Sequence, residues 1–203
     1  NAGGDFFGIR VSGAGDVDLD GVPDVLVGAV EWLFAGEGYA RVLSGKDGST
    51  LHHWDGAHSN SQFGYSVSDL GDVNADGVPD VVVGAWWENL AGGGSGSARI
   101  FSGSDGSVLA TYAGAPGAHM GSSVATAGDV DGDGRKELVA ATFKQGIWLL
   151  RPGAAGGAWQ REQIDADSGG FEHAALLTDL DGDGKDELYV ASDDDKEVRR
   201  YRW

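Results

Sequence analysis

Four acidic segments of this chain share a spacing that could hold a metal ion. Each follows the pattern D-x-[DN]-x-D-G-x-x-[DE], and the segments begin at Asp16, Asp72, Asp129 and Asp179. In a tight loop of this kind, side-chain oxygens at positions 1, 3, 5 and 9 and a backbone carbonyl oxygen at position 7 can meet at one point. Glycine at position 6 permits the sharp turn. The chemistry that these residues predict is the coordination of a hard cation by oxygen.

Calcium is the cation that this ligand set favours, because it takes six to eight oxygens in flexible geometry. Magnesium demands a smaller octahedral site, and zinc prefers Cys and His, which none of the four loops contains. Asp and Gly also form turns without any metal, and a single copy could be such a turn. Four copies in the same phase are not explained by turns alone. We therefore expect about four calcium ions, one in each loop.

The predicted ligands follow directly from the loop positions, with position 7 contributing only its backbone oxygen. The second loop has Asn at position 3, a neutral oxygen donor, and is expected to bind calcium more weakly than the others. The predicted ligands are Asp16, Asp18, Asp20, Val22 and Asp24 in the first loop, Asp72, Asn74, Asp76, Val78 and Asp80 in the second, Asp129, Asp131, Asp133, Arg135 and Glu137 in the third, and Asp179, Asp181, Asp183, Lys185 and Glu187 in the fourth.

An EF-hand begins with the same pattern, but it requires a bidentate Glu at position 12 and a helix on each side. Here position 12 is Val27, Val83, Ala140 or Val190. The segments that follow the loops are short apolar runs, rich in β-branched residues in the first two repeats, which predict strands. The loops are therefore expected to connect strands.

The loops start 56, 57 and 50 residues apart, which indicates a repeat architecture. The first two repeats align closely outside the loop as well, and each contains about four predicted strands. In the first repeat these cover residues 8–14, 24–30, 38–43 and 50–54. A repeated unit of four antiparallel strands with short links predicts an all-β fold, a β-propeller with one blade per repeat. The expected blades are residues 6–58, 59–115, 116–168 and 169–203.

The repeats resemble the FG-GAP repeat, which occurs in the propeller of integrin α-chains and in many secreted bacterial proteins. The resemblance rests on Phe7-Gly8 and Phe63-Gly64, on the acidic loops, and on Val27-Gly28-Ala29 and Val83-Gly84-Ala85. Later repeats depart from it, with Met120-Gly121 and Phe171-Glu172 at the Phe-Gly position. The resemblance implies calcium in the loops and a ligand face at the opposite end of the propeller.

Four repeats are fewer than the blades that usually close a propeller of this family into a ring. The fourth repeat reaches only its third predicted strand at residues 197–203, and propellers of this family usually close with seven blades. Three arrangements remain open at this point. The chain could be part of a larger propeller, two copies could form an eight-bladed ring, or four blades could close with one incomplete. All three avoid an open fan, which would expose sheet edges, and the first two are favoured over the third.

The composition argues against nucleic acid and membranes as binding partners. The formal net charge is −18, and 15 of the 32 acidic residues are predicted loop ligands. No basic stripe exists to bind nucleic acid, and no apolar run is long enough to cross a membrane or to act as a signal peptide. Calcium sites of moderate affinity are filled where calcium is millimolar, so a secreted or cell-surface location is expected.

The strand order also predicts where a partner would bind. Successive turns of an up-and-down sheet alternate between its two ends, so the acidic loops share one end of the propeller. The opposite end would carry Trp32, Trp86 and Trp87. Aromatic rings beside polar groups can stack on sugars or bury a peptide side chain, although packing between blades is the simpler interpretation.

A binding module for extracellular protein or matrix is the function that the sequence favours. A carbohydrate-binding lectin is the alternative, and a propeller enzyme acting on polysaccharide is a further one. The five histidines accompany no nucleophile motif. No catalytic residue is therefore predicted, and an enzyme is the less favoured class. Self-association, or further blades that complete the ring, is also expected.

Overall fold

The computed structural model describes residues 4–31, 36–143, 145–153, 158–166, 172–178, 180, 187–192 and 196–202. All regular structure within these ranges is β-strand, and none of it is a helix long and apolar enough to cross a membrane. The strands are β1 (Asp5–Gly15), β2 (Asp24–Glu31), β3 (Tyr39–Leu43), β4 (Thr50–Asp55), β5 (Phe63–Gly71), β6 (Asp80–Ala85), β7 (Ser97–Phe101), β8 (Val108–Ala113), β9 (Ser123–Gly128), β10 (Glu137–Ala141), β11 (Ile147–Arg151), β12 (Gln160–Asp165), β13 (Glu172–Thr178), β14 (Glu187–Ser192) and β15 (Glu197–Tyr201).

Each repeat forms one antiparallel sheet, which confirms the all-β propeller prediction. The first three sheets have four strands, in the orders β1-β2-β3-β4, β5-β6-β7-β8 and β9-β10-β11-β12. The fourth has three described strands, β13-β14-β15, in agreement with the incomplete fourth repeat. In the first sheet the four predicted strands are present, and the first extends further toward the N-terminus than the sequence indicated. The blade boundaries between the sheets stay a prediction.

Neighbouring sheets pack face to face through apolar side chains. We call the face directed at the next sheet the front face and the face directed at the preceding sheet the back face. Leu26, Ala40 and Val42 on the front face of the first sheet meet Phe63 and Val81 on the back face of the second. Two further clusters join the second sheet to the third and the third to the fourth. The second strand of a sheet that lies between two others is buried on both faces for this reason, as the all-buried β6 illustrates.

The sheets are arranged as a sequential fan among the described strands. β1 packs on β5, β5 on β9, and β9 on β13, so the first strand of each sheet lies at the inner edge of the stack. No comparable packing joins β1 to β13 among the described residues. The first and fourth sheets are therefore not joined as they would be in a closed four-bladed ring.

The glycines of the repeat lie where two backbones approach most closely. A Cβ atom at Gly28 would overlap the carbonyl oxygen of Gly64 in the next sheet, and a Cβ atom at Gly84 would overlap that of Gly121. Gly64 and Gly121 also have φ angles of 85° and 84°, in the left-handed region that favours glycine. The Phe-Gly or Met-Gly pair of one repeat thus packs closely against the Val-Gly-Ala segment of the preceding repeat. This close packing of two backbones explains why both motifs contain glycine.

Candidate metal centre

The acidic loops connect the first and second strands of their sheets and therefore lie at one end of the stack. In the first loop the carboxylate of Asp16 accepts hydrogen bonds from the backbone N–H groups of Asp20, at 3.0 Å, and Gly21, at 2.9 Å. Asp72 does the same for Asp76, at 3.1 Å, and Gly77, at 2.8 Å. The position 1 carboxylate thus folds the loop around itself, as carboxylates of turn-forming Asp residues do.

The fourth residue of these loops adopts a conformation that non-glycine residues rarely take. The φ angle is 58° at Leu19 and 64° at Ala75, and Gly132 occupies the same position in the third loop with 78°. A left-handed residue inside an ordered loop costs free energy, of the order of 1 kcal/mol, and persists only where the surroundings determine it. This shared backbone conformation, strained only at Leu19 and Ala75, indicates that the three described loops have one backbone path.

Three carboxylates converge in each of two loops. Oxygen atoms of Asp16, Asp18 and Asp24 all lie within 4.8 Å of one another, and so do those of three acidic residues of the third loop, Asp129, Asp131 and Glu137. These are loop positions 1, 3 and 9, as the spacing predicts. Like charges at such distances repel unless a cation or a proton compensates them. An oxygen-only donor set of three carboxylates fits a hard divalent cation.

The residue at position 9 has a second role that the sequence did not reveal. Asp24 is buried, and its carboxylate accepts hydrogen bonds from the N–H groups of Val17, at 2.7 Å, and Gly45, at 2.9 Å. The corresponding bonds to Asp80 come from Val73, at 2.9 Å, and Gly103, at 3.1 Å. Since Gly45 and Gly103 follow the third strand, this carboxylate ties the acidic loop to the turn between the third and fourth strands.

Burial makes these carboxylates costly to keep charged. Desolvation raises the pKa of Asp80 to about 6, against the hydrogen bonds from Gly103 and Val73, which lower it. Desolvation also raises the pKa of Glu137, and the neighbouring carboxylates of Asp131 and Asp133 add to the shift. A cation bound beside such groups would offset both the desolvation and the repulsion.

The position 5 carboxylates contact neighbouring side chains, and their role as ligands stays a prediction. Asp20 is paired with Lys46 at 3.3 Å, Asp76 accepts a hydrogen bond from the hydroxyl of Ser104 at 2.7 Å, and Asp133 is paired with Arg135. These carboxylates lie outside the two groups of three. The position 7 residues donate their backbone N–H groups to position 5, from Val22, Val78 and Arg135 respectively.

The fourth loop cannot be described in the same way. Its predicted ligands Asp179, Asp181, Asp183 and Lys185 lie outside the described residues. Glu187, at position 9, is buried like its counterparts and forms an ion pair with Arg202 at 3.2 Å.

The second loop offers a test of the position 3 ligand. Asn74 donates from its amide nitrogen to Asp76 at 3.0 Å and carries no charge, so the second loop has one negative charge fewer than the first and third loops. We expect Asn74→Asp to raise the calcium affinity of this loop about tenfold, because ligand charge tunes the affinity of calcium loops. Calorimetric titration of the metal-free protein measures the change. Asn89→Asp, an exposed loop position between β6 and β7, is the control, and equal titrations of the two variants would contradict the assignment.

An aromatic cluster lies in the loops at the opposite end of the sheets. It consists of Trp86, Trp87, His119 and Phe143. The rings of Trp87 and His119 are stacked with centroids 4.5 Å apart, and those of Trp86 and Trp87 meet edge to face at 5.1 Å. His119 lies 5.7 Å from Phe143 of the third repeat. The structure thus brings Trp86 and Trp87 together, whereas Trp32 lies outside the described residues.

The sequence did not single out Phe143 or the buried residue that supports this cluster. Glu88 is fully buried, and its carboxylate accepts hydrogen bonds from the hydroxyl of Ser97 and from the guanidinium of Arg99. The Arg99 guanidinium in turn lies 5.5 Å from the ring centre of Phe63. The ion pair of Glu88 with Arg99 holds the loop between β6 and β7 against strand β7. No periodicity signals such a contact, because it depends on how the loop folds back.

Comparison with protein families and curated proteins identifies relatives of the repeats. A family model described as an FG-GAP-like repeat matches residues 129–190. Integrin alpha-PS2 of Drosophila melanogaster is 38% identical over 114 residues, which is 50% of this chain and 8% of that protein. Integrin alpha-3 of Cricetulus griseus is 32% identical over 167 residues, 73% of this chain and 15% of that protein. The chain therefore spans less than a sixth of the length of these relatives.

Solved structures share the fold at lower sequence identity. An exotype rhamnogalacturonan lyase, YesX, superposes with a TM-score of 0.56 and 19% identity over 88% of this chain and 38% of the lyase. A rhamnogalacturonan lyase of Bacillus licheniformis gives 0.56 and 18% over 93% of this chain and 42% of that chain. At this identity the likeness extends to the fold alone.

Proposed function

We propose that this chain, which carries FG-GAP-like repeats related to those of integrin α-chains, is a calcium-binding β-propeller module for extracellular adhesion. The observation that carries the proposal is the convergence of three carboxylates at positions 1, 3 and 9 in the first and third loops. The same backbone path in the second loop supports one ion per loop, including the fourth by repeat equivalence.

The role of the ion in this proposal is structural. The position 9 carboxylate is bonded to the turn after the third strand, so a cation held beside it would rigidify both connections at that end of the sheet. Extracellular calcium modules have dissociation constants of about 10⁻⁴ to 10⁻³ M, and sites of that affinity are filled only where calcium is millimolar. This dependence favours a secreted or cell-surface location, as does the similarity to integrin α-chains.

The partner surface in this proposal is the end of the sheets opposite the acidic loops. The aromatic cluster lies there, only half-buried, and a rigid stacked pair such as Trp87 and His119 provides contact area at low cost in side-chain entropy. An extracellular protein is the favoured partner, because the chain is similar to integrin α-chains.

Binding to immobilised matrix proteins tests the proposal. We expect the calcium-loaded chain to bind at least one of collagen, fibronectin and laminin in surface plasmon resonance. Trp87→Ala should weaken that binding at least tenfold, about 1.4 kcal/mol, because it removes half of the stacked pair. Trp159→Ala, at a half-buried tryptophan beside Tyr112, is the matched control. A folded, calcium-loaded chain that binds none of the three proteins would contradict the choice of partner.

A carbohydrate partner is the second candidate. Stacked aromatic rings suit the apolar faces of sugars as well as peptide side chains. The fold shared with the two rhamnogalacturonan lyases makes rhamnogalacturonan oligosaccharides a reasonable probe. Quenching of tryptophan fluorescence by rhamnogalacturonan oligosaccharides, abolished in Trp87→Ala, would favour a lectin over a protein-binding module. Depolymerisation of the same oligosaccharides would instead indicate a propeller enzyme, for which the described residues provide no assigned catalytic group.

A further inference from the structure

The turn between β7 and β8 is bonded to the second acidic loop. We call this turn, residues 102–107, the bridging turn. Its backbone N–H at Gly103 donates to the carboxylate of Asp80 at 3.1 Å. The hydroxyl of Ser104 donates to the carboxylate of Asp76 at 2.7 Å. The bridging turn thus contacts the loop at two of the predicted ligand positions, 9 and 5.

The same turn is also bonded to the first sheet, through two side chains of β4. The Nε2 atom of His52 lies 2.6 Å from the carbonyl oxygen of Gly103, and the indole N–H of Trp54 donates to the carbonyl oxygen of Gly106 at 2.8 Å. Because a carbonyl oxygen only accepts, Nε2 of His52 carries the proton and donates it. A Cβ atom at Gly106 would lie 2.9 Å from Nδ1 of His52, so the approach is close. Two sheets therefore hold the bridging turn.

Ring packing holds the two donors of β4 in place. The rings of His52 and Trp54 are stacked with centroids 5.3 Å apart, and the ring of Trp54 lies 4.5 Å from that of Phe101. Phe101 is buried and is the last residue of β7, directly before the bridging turn. Trp54 thus contacts the strand that leads into the turn with its ring and the turn itself with its N–H. Side chains that packing already orders lose little further freedom when they donate these bonds.

The second sheet lacks this pair of donors on its own outer strand, β8. By strand pairing, Ala110 takes the position of His52, and it has no polar side-chain atom. Tyr112 takes the position of Trp54. Its hydroxyl oxygen is buried and has no hydrogen-bond partner among the residues that the structure describes. Support of a calcium loop by donors of the preceding sheet is therefore a feature of the second loop that Ala110 and Tyr112 do not reproduce.

We propose that the bridging turn couples calcium binding in the second loop to the contact between the first and second sheets, with His52 and Trp54 as positioning residues for that loop. This inference rests on the calcium-binding function proposed above. Calcium binding requires an ordered loop and an ordered turn beside it. A turn that the first sheet already holds does not have to be ordered when the ion binds, so the loop binds calcium more tightly. Because such coupling is reciprocal, calcium in the second loop strengthens the contact between the two sheets.

Calcium titration of the isotope-labelled full chain, followed by NMR, tests the coupling loop by loop. The position 6 glycines report on the loops separately, because the backbone N–H groups of Gly21, Gly77 and Gly134 each donate to the position 1 carboxylate of their own loop. We expect His52→Ala to raise the calcium concentration at the midpoint of the Gly77 titration about fivefold, as for one lost hydrogen bond. The midpoints at Gly21 and Gly134 should not change.

Two further variants make the result specific to the bond from His52. His52→Gln, whose amide nitrogen can donate to the same carbonyl oxygen, should recover most of the affinity. His53→Ala is the matched control, because His53 is the next residue of β4 and its side chain lies on the opposite face of the sheet, where Nε2 is 2.8 Å from Asp55. It should leave the Gly77 midpoint unchanged. Melting curves confirm that each variant is folded.

The indole N–H of Trp54 provides a second readout, which a merely structural role would not change. Trp54 belongs to the first sheet, yet its indole resonance should shift with the same calcium midpoint as Gly77. Its absence from the spectrum of Trp54→Phe assigns the resonance.

The outcomes separate the coupling from the calcium site itself. The coupling is overturned, and the calcium site is kept, if Gly77 titrates with the same midpoint in wild type and His52→Ala, even where His52→Ala melts at a lower temperature. An equal change of midpoint in His53→Ala, or a Trp54 resonance that does not respond where Gly77 does, would also overturn it. If calcium shifts none of the three glycine resonances, the calcium assignment fails and the coupling fails with it.

Discussion

Removal of calcium should lower the free energy of unfolding of this chain by at least about 5 kcal/mol, the contribution of the first and third loops. A ligand at 100 times its dissociation constant stabilises the folded state by about 2.7 kcal/mol per site, and two loops have three convergent carboxylates each. For a domain of this size, about 5 kcal/mol corresponds to a fall of about 10 to 20 °C in the melting temperature. The loss has a local cause, because carboxylates within 4.8 Å of one another repel once no cation lies between them.

Thermal melting with calcium, and again after chelation, measures this effect. Asp131→Asn, at position 3 of the third loop, should lower the stabilisation by calcium by about 1.4 kcal/mol and so reduce the difference between the two melting temperatures, because it lowers the affinity of that loop about tenfold. Glu162→Gln is a matched control, because Asp131 and Glu162 both pair with Arg151 and only Asp131 belongs to the acidic group. Equal melting temperatures with and without calcium would exclude a structural ion. Restoration of the melting temperature by magnesium at the same concentration would contradict the preference for calcium.

Gly28→Ala should destabilise the chain by about 3 kcal/mol, at the upper end of the range for overpacked sites. The added Cβ atom would overlap the carbonyl oxygen of Gly64. The backbone fixes the positions of both atoms, so no side-chain rotation can relieve the clash. The first two sheets would have to move apart, which would loosen the apolar cluster between them. Urea unfolding at fixed calcium concentration measures the loss.

Gly13→Ala separates this clash from the intrinsic effect of the substitution. Gly13 lies on the adjacent strand β1, has no positive φ, and a Cβ atom there would meet nothing within 4 Å. Its replacement should leave the stability within about 1 kcal/mol or raise it slightly, because alanine restricts the unfolded chain. If both alanine variants unfold at the same urea concentration, close approach of the sheets is not the reason for the glycine in the repeat.

The repeat, its phase and the class of fold could be predicted from the sequence. The four loops and the short apolar runs after them depend on local spacing, which determines whether carboxylates can turn toward one point and whether a segment forms a strand. The strand order, including that of the three described strands of the fourth sheet, followed from the same pattern. Local periodicity is sufficient here because each sheet is built from consecutive strands joined by short turns.

The use of each loop position could not be predicted in the same way. Positions 1, 3, 5 and 9 carry similar side chains, but Asp20 turns toward Lys46 whereas Asp24 accepts hydrogen bonds from Val17 and Gly45. Which carboxylate is buried depends on the turn after the third strand, more than 20 residues later in the chain. The hydrogen bonds of Glu88 and the stacking of Trp87 on His119 are of the same kind.

The sequence by itself thus determined the repeat, the oxygen-rich loops and the end of each sheet at which they lie, because these depend on residues close together in the chain. Only the tertiary structure decided which three carboxylates of a loop converge, since that depends on contacts with distant turns. It also decided which of several equivalent residues are buried. Phe7 and Phe63 occupy the same motif position, but a neighbouring sheet buries Phe63, whereas Phe7 is exposed.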